Sequence, residues 1–389
     1  MSCPFRLLYL GLLIGLMGCR TTSELNVIAP PSDRSTPPVT TPTEVTLTNP
    51  TLYVGSFDSK LYAIDTTGNA RWTFRADTAI QSSPVVAYGR VYVGSNRNHI
   101  YAIDAQNGAL QWQYQTGGAV VSSPTVAAGR LFAGCLDSKL YALDATTGNQ
   151  LWAYQSTHGI YASPALGNNL LYVAGLNGRV DALDPASGTL RWFFTTGSYL
   201  LSSPLVENGV VYVGSTDNTF YAIDAQTGKS RWTYKATSAF VGSPVVADGI
   251  VYIVCSDWLL HAFNAQSGQS LWTFPLGDFN PAQQQQTSPV VANGRLYVGS
   301  RNRVLYALDA RTGAFHWQFA TNFDLYATPL VLNGVVYIGS TDRSLYALDS
   351  RTGQRKWSFR TGDILFSSPT SALKSSITGK YPTISGAGK

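Results

Sequence analysis

Apolar and polar residues alternate in short bursts along most of this chain. From Ser82 the bursts read Ser82-Ser-Pro-Val-Val-Ala, Arg90-Val-Tyr-Val-Gly-Ser, His99-Ile-Tyr-Ala-Ile-Asp and Ala109-Leu-Gln-Trp-Gln-Tyr. Each is β-branched or aromatic in character and is set off from the next by Gly, Asn or Asp, residues that suit tight turns. No window sustains the three- and four-residue apolar spacing of a helix. The pattern predicts four short strands in each stretch of 40 residues.

That stretch recurs. Tryptophans stand at Trp72, Trp112, Trp152, Trp192, Trp232, Trp272, Trp317 and Trp357, 40 residues apart except for one step of 45. A glycine precedes each by four residues, from Gly68 and Gly108 to Gly353, and a proline follows each, from Pro84 to Pro369. Four-stranded units at this period predict an all-β, eight-bladed β-propeller of four-stranded antiparallel blades. The chain enters the repeat at Thr51-Leu-Tyr-Val-Gly-Ser, the second strand of a unit, and leaves it at Phe366-Ser-Ser-Pro-Thr, the first strand. A unit split in this way predicts a ring closed by the C-terminal strand, which removes an exposed sheet edge. Val45-Thr46-Leu47 competes for the same innermost position, without the Ser-Ser-Pro signature.

Asp104-Ala-Gln-Asn-Gly108 with Trp112, repeated as Asp144-Ala-Thr-Thr-Gly148 with Trp152, resembles the tryptophan-docking motif of pyrroloquinoline-quinone-repeat propellers. The resemblance covers about residues 51 to 372, and neither a Trp-Asp dipeptide nor a paired glycine recurs as in WD40 or kelch repeats. The motif also has a mechanical reading. The Asp accepts turn hydrogen bonds, the glycine supplies a positive φ, and the tryptophan covers the adjoining blade. Asn264 replaces the Asp in one unit, and Asp65 lies one residue nearer its Trp in the first. Trp258 has no repeat counterpart and falls beside Asp257 in a turn, so it is expected to contribute little to stability.

Outside the repeat, Arg6 and the apolar run Leu7 to Met17 form a segment too short to span a bilayer, ending in Leu16-Met17-Gly18-Cys19. Gly18-Cys19 resembles a bacterial lipobox, which implies acylation of Cys19. Residues 1–18 are thus expected to be a lipoprotein signal peptide, 19–50 a Thr/Pro-rich tether, 51–373 the propeller and 374–389 a disordered tail. By that resemblance the protein is extracytoplasmic and lipid-anchored, and Arg20 after the cysteine, in place of Asp, favours the outer membrane, facing the periplasm or the cell surface.

Charge and candidate chemistry narrow the function. A formal net charge of +5 on 389 residues is too weak for a nucleic-acid footprint. Quinone dehydrogenases of this repeat class imply carboxylates converging on calcium, long pocket-forming insertions and, in some, adjacent cysteines. Here Glu24, Glu44 and Glu207 are the only glutamates, Cys135 and Cys255 lie three units apart, and His99, His158, His261 and His316 are scattered, so no cofactor, metal or catalytic residue is assigned. What remains is surface. Loops between second and third strands carry Arg301, Arg303 and Arg343, and loops entering the innermost strands carry Tyr161, Phe279, Tyr326 and Phe366, on the same face of the ring. Aromatic residues and arginine anchor interfaces, although a solvated rim accounts equally for the charges. Phe279 lies in Leu276 to Ser288, which holds the five residues beyond the 40-residue unit, and loops carry function more often than scaffolds do.

An exported lipoprotein made only of such a ring resembles the BamB-type lipoproteins of outer-membrane β-barrel assembly. This implies a non-catalytic, monomeric scaffold that binds protein partners at the membrane. A quinone-dependent alcohol or sugar dehydrogenase, and a surface propeller binding glycan or peptide, are the alternatives. If Cys19 carries the anchor, Cys19→Ser should leave a folded protein that no longer fractionates with membranes at high salt, and retention of the variant in the membrane pellet would remove the acyl anchor.

Overall fold

The computed structural model describes residues 50–277 and 287–371. The expectations placed on Cys19, on the signal, tether and tail segments, on Val45 to Leu47 and on Phe279 fall outside these residues.

The four bursts of the repeat are four strands. In the second blade they are Val85–Ala87, Arg90–Gly94, His99–Asp104 and Leu110–Gln115, each antiparallel to the next. Eight such four-stranded sheets make up the fold, one for each repeat tryptophan, and no helix occurs among the described residues. The first blade is completed from the other end of the chain. Thr370–Ser371 pairs with Thr51–Gly55 through Leu52↔Ser371 and Tyr53↔Thr370, so the ring closes on the C-terminal strand.

Burial follows strand position. Second and third strands are covered on both faces, whereas outer strands alternate exposed and half-buried residues, as in Leu110–Gln115. The third and outer strands also share a β-bulge in every blade, between Ala102 and Ile103 in the second, which adds local twist. The apolar core does not lie within blades. One cluster joins Tyr53, Leu61 and Ala63 of the first blade to Val91, Val93, Tyr101 and Ile103 of the second, and similar clusters follow around the ring. Each blade therefore depends on its neighbours for the burial of both faces.

Docking at the periphery fixes the distance between blades. Asp104 Oδ1 accepts the backbone N–H groups of Gln106 and Asn107 and shapes a turn that Gly108 completes with φ 76°. The indole of Trp72, from the preceding blade, lies over that turn. A Cβ on Gly108 would stand 2.7 Å from the ring, and Trp72 Nε1 donates to the Ala105 carbonyl at 3.2 Å. Gly108 is therefore required by conformation and by space at once. The arrangement recurs through to Trp357, which packs on Gly68 and donates to the Thr66 carbonyl at 2.9 Å across the closure.

A second belt runs around the inner strands. In each segment before the innermost strand the amide of the residue preceding proline donates to the hydroxyl of its counterpart one blade on, from Ser83 to Ser123, Ser163, Ser203, Ser243 and Ser288, at 2.9–3.0 Å. From Thr328 it continues to Ser368 and from Ser368 back to Ser83, at 2.8 and 2.9 Å. At seven of the eight seams the sequence thus places a hydroxyl where it clasps the neighbouring blade on the inner strands.

The seam between the third and fourth blades breaks the pattern. Tyr53, Tyr92, Tyr172, Tyr212 and Tyr252 each donate a hydroxyl to the turn carbonyl that also receives, or flanks, the tryptophan bond, but the third blade has Phe132 there. Trp152 packs on Gly188 like its counterparts, yet its Nε1 has no partner, and Pro185 stands where the other turns carry Ala, Ser or Thr. Trp112→Phe should accordingly lose about 1 kcal/mol more stability than Trp152→Phe, because only Trp112 gives up a hydrogen bond. Phe132→Tyr, which restores the missing hydroxyl, should raise the stability read in denaturation by about 1 kcal/mol. Equal losses at the two tryptophans, read in chemical denaturation, would mean that the bond contributes nothing.

Candidate functional site

Loops between second and third strands meet the loops that enter the inner strands on one face of the ring. The backbone itself ties them: Phe57 N donates to the Ile364 carbonyl, Asn96 N to Ala79, Leu136 N to Ala119 and Thr216 N to Tyr199. Asp or Asn side chains cap the first set of loops, as Asp137 Oδ1 accepts the Lys139 amide and its Oδ2 the Tyr141 hydroxyl. The face is rigid because both strands leaving each loop are buried.

On this face the structure brings together some of the residues singled out above. Phe366 and Tyr326 pack with ring centroids 4.7 Å apart and planes tilted by 47°, and Phe57 also lies against Phe366 at 5.0 Å. The Arg301 guanidinium lies 5.1 Å from the Tyr326 ring, while its Nε contacts Asp324 Oδ2 at 3.4 Å. These side chains are half-buried. Beside them Arg303 covers Phe323, which is 56% exposed, and Arg343 is exposed at a positive-φ turn position. Tyr161 belongs to a different group: its hydroxyl receives Gln81 Nε2 at 3.1 Å from two blades away, and Gln81 Oε1 accepts from Asn96. Burial pushes the Tyr161 and Tyr326 phenols above their ordinary value, so both remain neutral donors at neutral pH.

Phe57 was not among the sequence candidates, although its place between Ser56 and Asp58 in a second-to-third-strand loop, equivalent to Arg301, was the available signal. Phe193 and Tyr199 are also strongly exposed, and Arg179 lies 4.0 Å over the Phe193 ring.

Two further readings change in the sixth blade. Trp258 stands in a turn as expected, at φ 68°, but is 4% exposed, and that burial argues against the small contribution to stability expected of it. Cys255 and His261, treated separately along the sequence, converge with Asp257 on one buried point, their ligand atoms within 4.8 Å of one another. The local spacing Cys-x-Asp-x-x-x-His across a two-strand turn was the overlooked signal. Cys135 and Cys255 are both buried free thiols.

Pyrroloquinoline quinone with calcium is the group implied by this repeat class, and the described residues do not fit it. A calcium ion takes about six to eight oxygen ligands. Positions entering the inner strands carry Gln81, Val121, Tyr161, Leu201, Val241, Tyr326 and Phe366. Of the carboxylates beside them, Asp324 is held by Arg301 and Asp363 by the Ile364 amide, and no acidic set converges on the axis among the described residues.

The fold and its docking motif define an eight-bladed propeller of the pyrroloquinoline-quinone-like repeat class. The chain belongs to the family described as "Beta-alanine-activating enzyme, beta-propeller", whose model matches residues 35–278. A second model, described as "Outer membrane protein assembly factor BamB", matches residues 256–380. Comparison with curated proteins gives no match. Among solved structures, BamB from Moraxella catarrhalis is similar with a TM-score of 0.67 at 19% identity, over 77% of this chain and 93% of that one. A europium-containing methanol dehydrogenase gives 0.63 at 17% identity, over 75% of this chain and 80% of that one. The quinohemoprotein alcohol dehydrogenase of Comamonas testosteroni gives 0.65 at 15% identity, over 75% and 68%. At these identities the likeness is one of fold.

If Tyr326 and Phe366 form a packed pair and do not merely lie side by side, a double-mutant cycle with alanine at both should return a coupling of about 0.5–1.5 kcal/mol in denaturation. An additive pair would show that the two rings are energetically independent.

Proposed function

We propose that this protein is a non-catalytic, membrane-tethered propeller scaffold that binds protein partners, with outer-membrane β-barrel assembly as its setting. The observation that carries the reading is the aromatic and arginine cluster Phe57, Phe366, Tyr326 and Arg301 on one face of a rigid ring. Such residues anchor interfaces because a planar ring loses little conformational entropy when it is covered, while guanidinium groups satisfy carbonyls and carboxylates of the partner. The exposed Phe323, Arg303 and Arg343 extend the same face, and Phe279 belongs to the loop beside it in sequence. The BamB likeness supports the reading further, since the similarity takes in 93% of that chain. The anchor at Cys19 and the tether to residue 50 would hold the ring at the outer membrane, facing the periplasm or the cell surface.

A quinone-dependent dehydrogenase is the second reading, favoured by the methanol and alcohol dehydrogenase likenesses. The donor set described above speaks against it.

The two readings separate by experiment. Mild crosslinking in the native host, followed by purification, should recover barrel-assembly components with the wild-type chain. It should recover them at a tenth or less of that yield with Phe279→Ala and Tyr326→Ala combined, in a variant that stays folded with only a small loss of melting temperature. Recovery of glycan or of unrelated peptide instead would remove the assembly role. A quinone spectrum that survives dialysis after addition of calcium and pyrroloquinoline quinone, together with alcohol- or sugar-dependent dye reduction, would overturn the scaffold reading.

A further inference from the structure

The sixth blade carries a group of residues that its neighbours lack. In four blades the third strand places a tyrosine whose hydroxyl meets the capping carboxylate of the preceding loop, as Tyr141 meets Asp137 at 2.6 Å and Tyr221 meets Asp217 at 2.8 Å. In the sixth blade that position is His261, whose Nε2 lies 3.1 Å from Asp257 Oδ2. At the end of the second strand, where Ser95, Ser215, Ser300 and Ser340 stand in other blades, this blade has Cys255. The third blade shares the cysteine and the aspartate but keeps Tyr141, so among the described residues only the sixth combines thiol, carboxylate and imidazole.

Burial makes this combination costly in its present form. Cys255 is fully buried and His261 is 2% exposed. Three polar atoms within six residues have no hydrogen-bond partner: Ser256 Oγ, Trp258 Nε1 and His261 Nδ1. Buried polar atoms are nearly always satisfied, and a cluster that is not leaves room for a water or an ion beside it. The backbone is also committed here, because Trp258 holds φ 68° where other blades place Ser, Asn, Gly or Arg. Asp257, with 11% of its side chain exposed, gives the one polar route to solvent among the three.

We propose that Cys255, Asp257 and His261 form a binding site for a borderline-soft divalent transition-metal ion of the zinc type. The ligand classes fit: thiolate, imidazole and carboxylate are the donors of protein zinc sites. The spacing fits as well. Bonds of about 2.0–2.3 Å in a tetrahedron put neighbouring donors roughly 3.3–3.8 Å apart, and the three donor atoms already lie within 4.8 Å of one another, with the His261–Asp257 pair at 3.1 Å. Binding requires the thiol to give up its proton, which now faces the Ser238 and Ala239 carbonyls at 3.3 and 3.5 Å. Burial pushes that thiol up, so an ion rather than solvent must stabilise the thiolate, and uptake should release a proton and weaken as pH falls. The fourth position falls to water. Asp324, Arg301 and the rest of the aromatic face take no part, so the site stands independently of the proposed partner surface.

Cobalt(II) titration of the tag-free, reduced, full-length protein tests the assignment, because a cobalt–thiolate bond gives a charge-transfer band and tetrahedral cobalt gives intense visible bands. One equivalent should bind with both signatures, and zinc should displace it and raise the unfolding temperature. Cys255→Ser and His261→Tyr install the residues that other blades carry at these positions, so both variants should fold. Each should abolish the charge-transfer band or weaken binding at least tenfold, whereas Cys135→Ser should leave it intact. Absence of the band in the wild type, or its persistence in Cys255→Ser, would overturn the proposal.

Discussion

A four-stranded blade presents two apolar faces, and neither can be covered by the blade itself. Burial of Tyr53, Leu61, Val91 and Tyr101 in one cluster shows that the core of this protein exists only between blades. The docking of each tryptophan on the next glycine sets the separation at which that core is filled. Were the turn residue anything larger than glycine, the ring would be forced outward by contact at 2.6–2.9 Å, and the wedge-shaped gaps toward the axis would open. The Ser-Ser-Pro belt then fixes the inner radius. Two constraints at two radii leave little freedom in the angle between blades, and a constant angle repeated around the circle must close. Pairing of Thr370–Ser371 with Leu52 and Tyr53 is the consequence, because an unclosed ring would leave one apolar face and one sheet edge in water.

This logic explains why the fold was legible in the sequence. The Trp, Gly and Pro triplets report contacts that every blade must make, so they recur at fixed spacing and can be aligned against one another within one chain. The split unit at the two ends was legible for the same reason. The site was legible only in part. Arg301, Tyr326 and Phe366 were found because loop positions can be placed on one face once the strands are known, but their actual grouping depends on side-chain direction. Phe57 was missed since the alignment drew attention to charged residues at its position. Tyr161 turned instead toward Gln81, two blades away, a contact that no local pattern carries. In the sixth blade the strand spacing placed Cys255 and His261 on facing strands, yet only the turn geometry brings Asp257 between them.

Departures from the repeat separate into two kinds. Phe132, Trp152 and Pro185 lose hydrogen bonds while keeping the packing, so the docking layer of that seam rests on apolar contact, while Ser123 and Tyr154 still bond across it to Ser163 and Asp181. That is a tolerable loss, since a net hydrogen bond contributes about 1 kcal/mol whereas a buried aromatic side chain contributes about 3–5 kcal/mol when truncation to alanine is the measure. Cys255, Trp258 and His261 do the opposite. They keep the strand frame but leave Trp258 Nε1 and His261 Nδ1 buried without partners, a cost that a tyrosine and a small turn residue at these positions would not carry.

The regularity of the scaffold bears on where binding can occur. Inner-strand hydroxyls are used to clasp one blade to the next, and the tyrosines of the second strands are used to clasp turn carbonyls, so the elements that define the ring have few free polar groups to offer a ligand. Exposed outer-strand residues such as Leu110 and Phe315 belong to separate blades. Loops on the face that carries Phe366 and Tyr326 are different: they can vary in side chain without disturbing either docking layer. Aromatic rings have accumulated there where neighbouring blades carry Gln81, Val121 and Leu201 at the equivalent positions. A rigid ring that spends its own polar groups on closure and varies only at loop tips is suited to display a surface, and a partner reads that surface by the rings and guanidinium groups that the scaffold does not need.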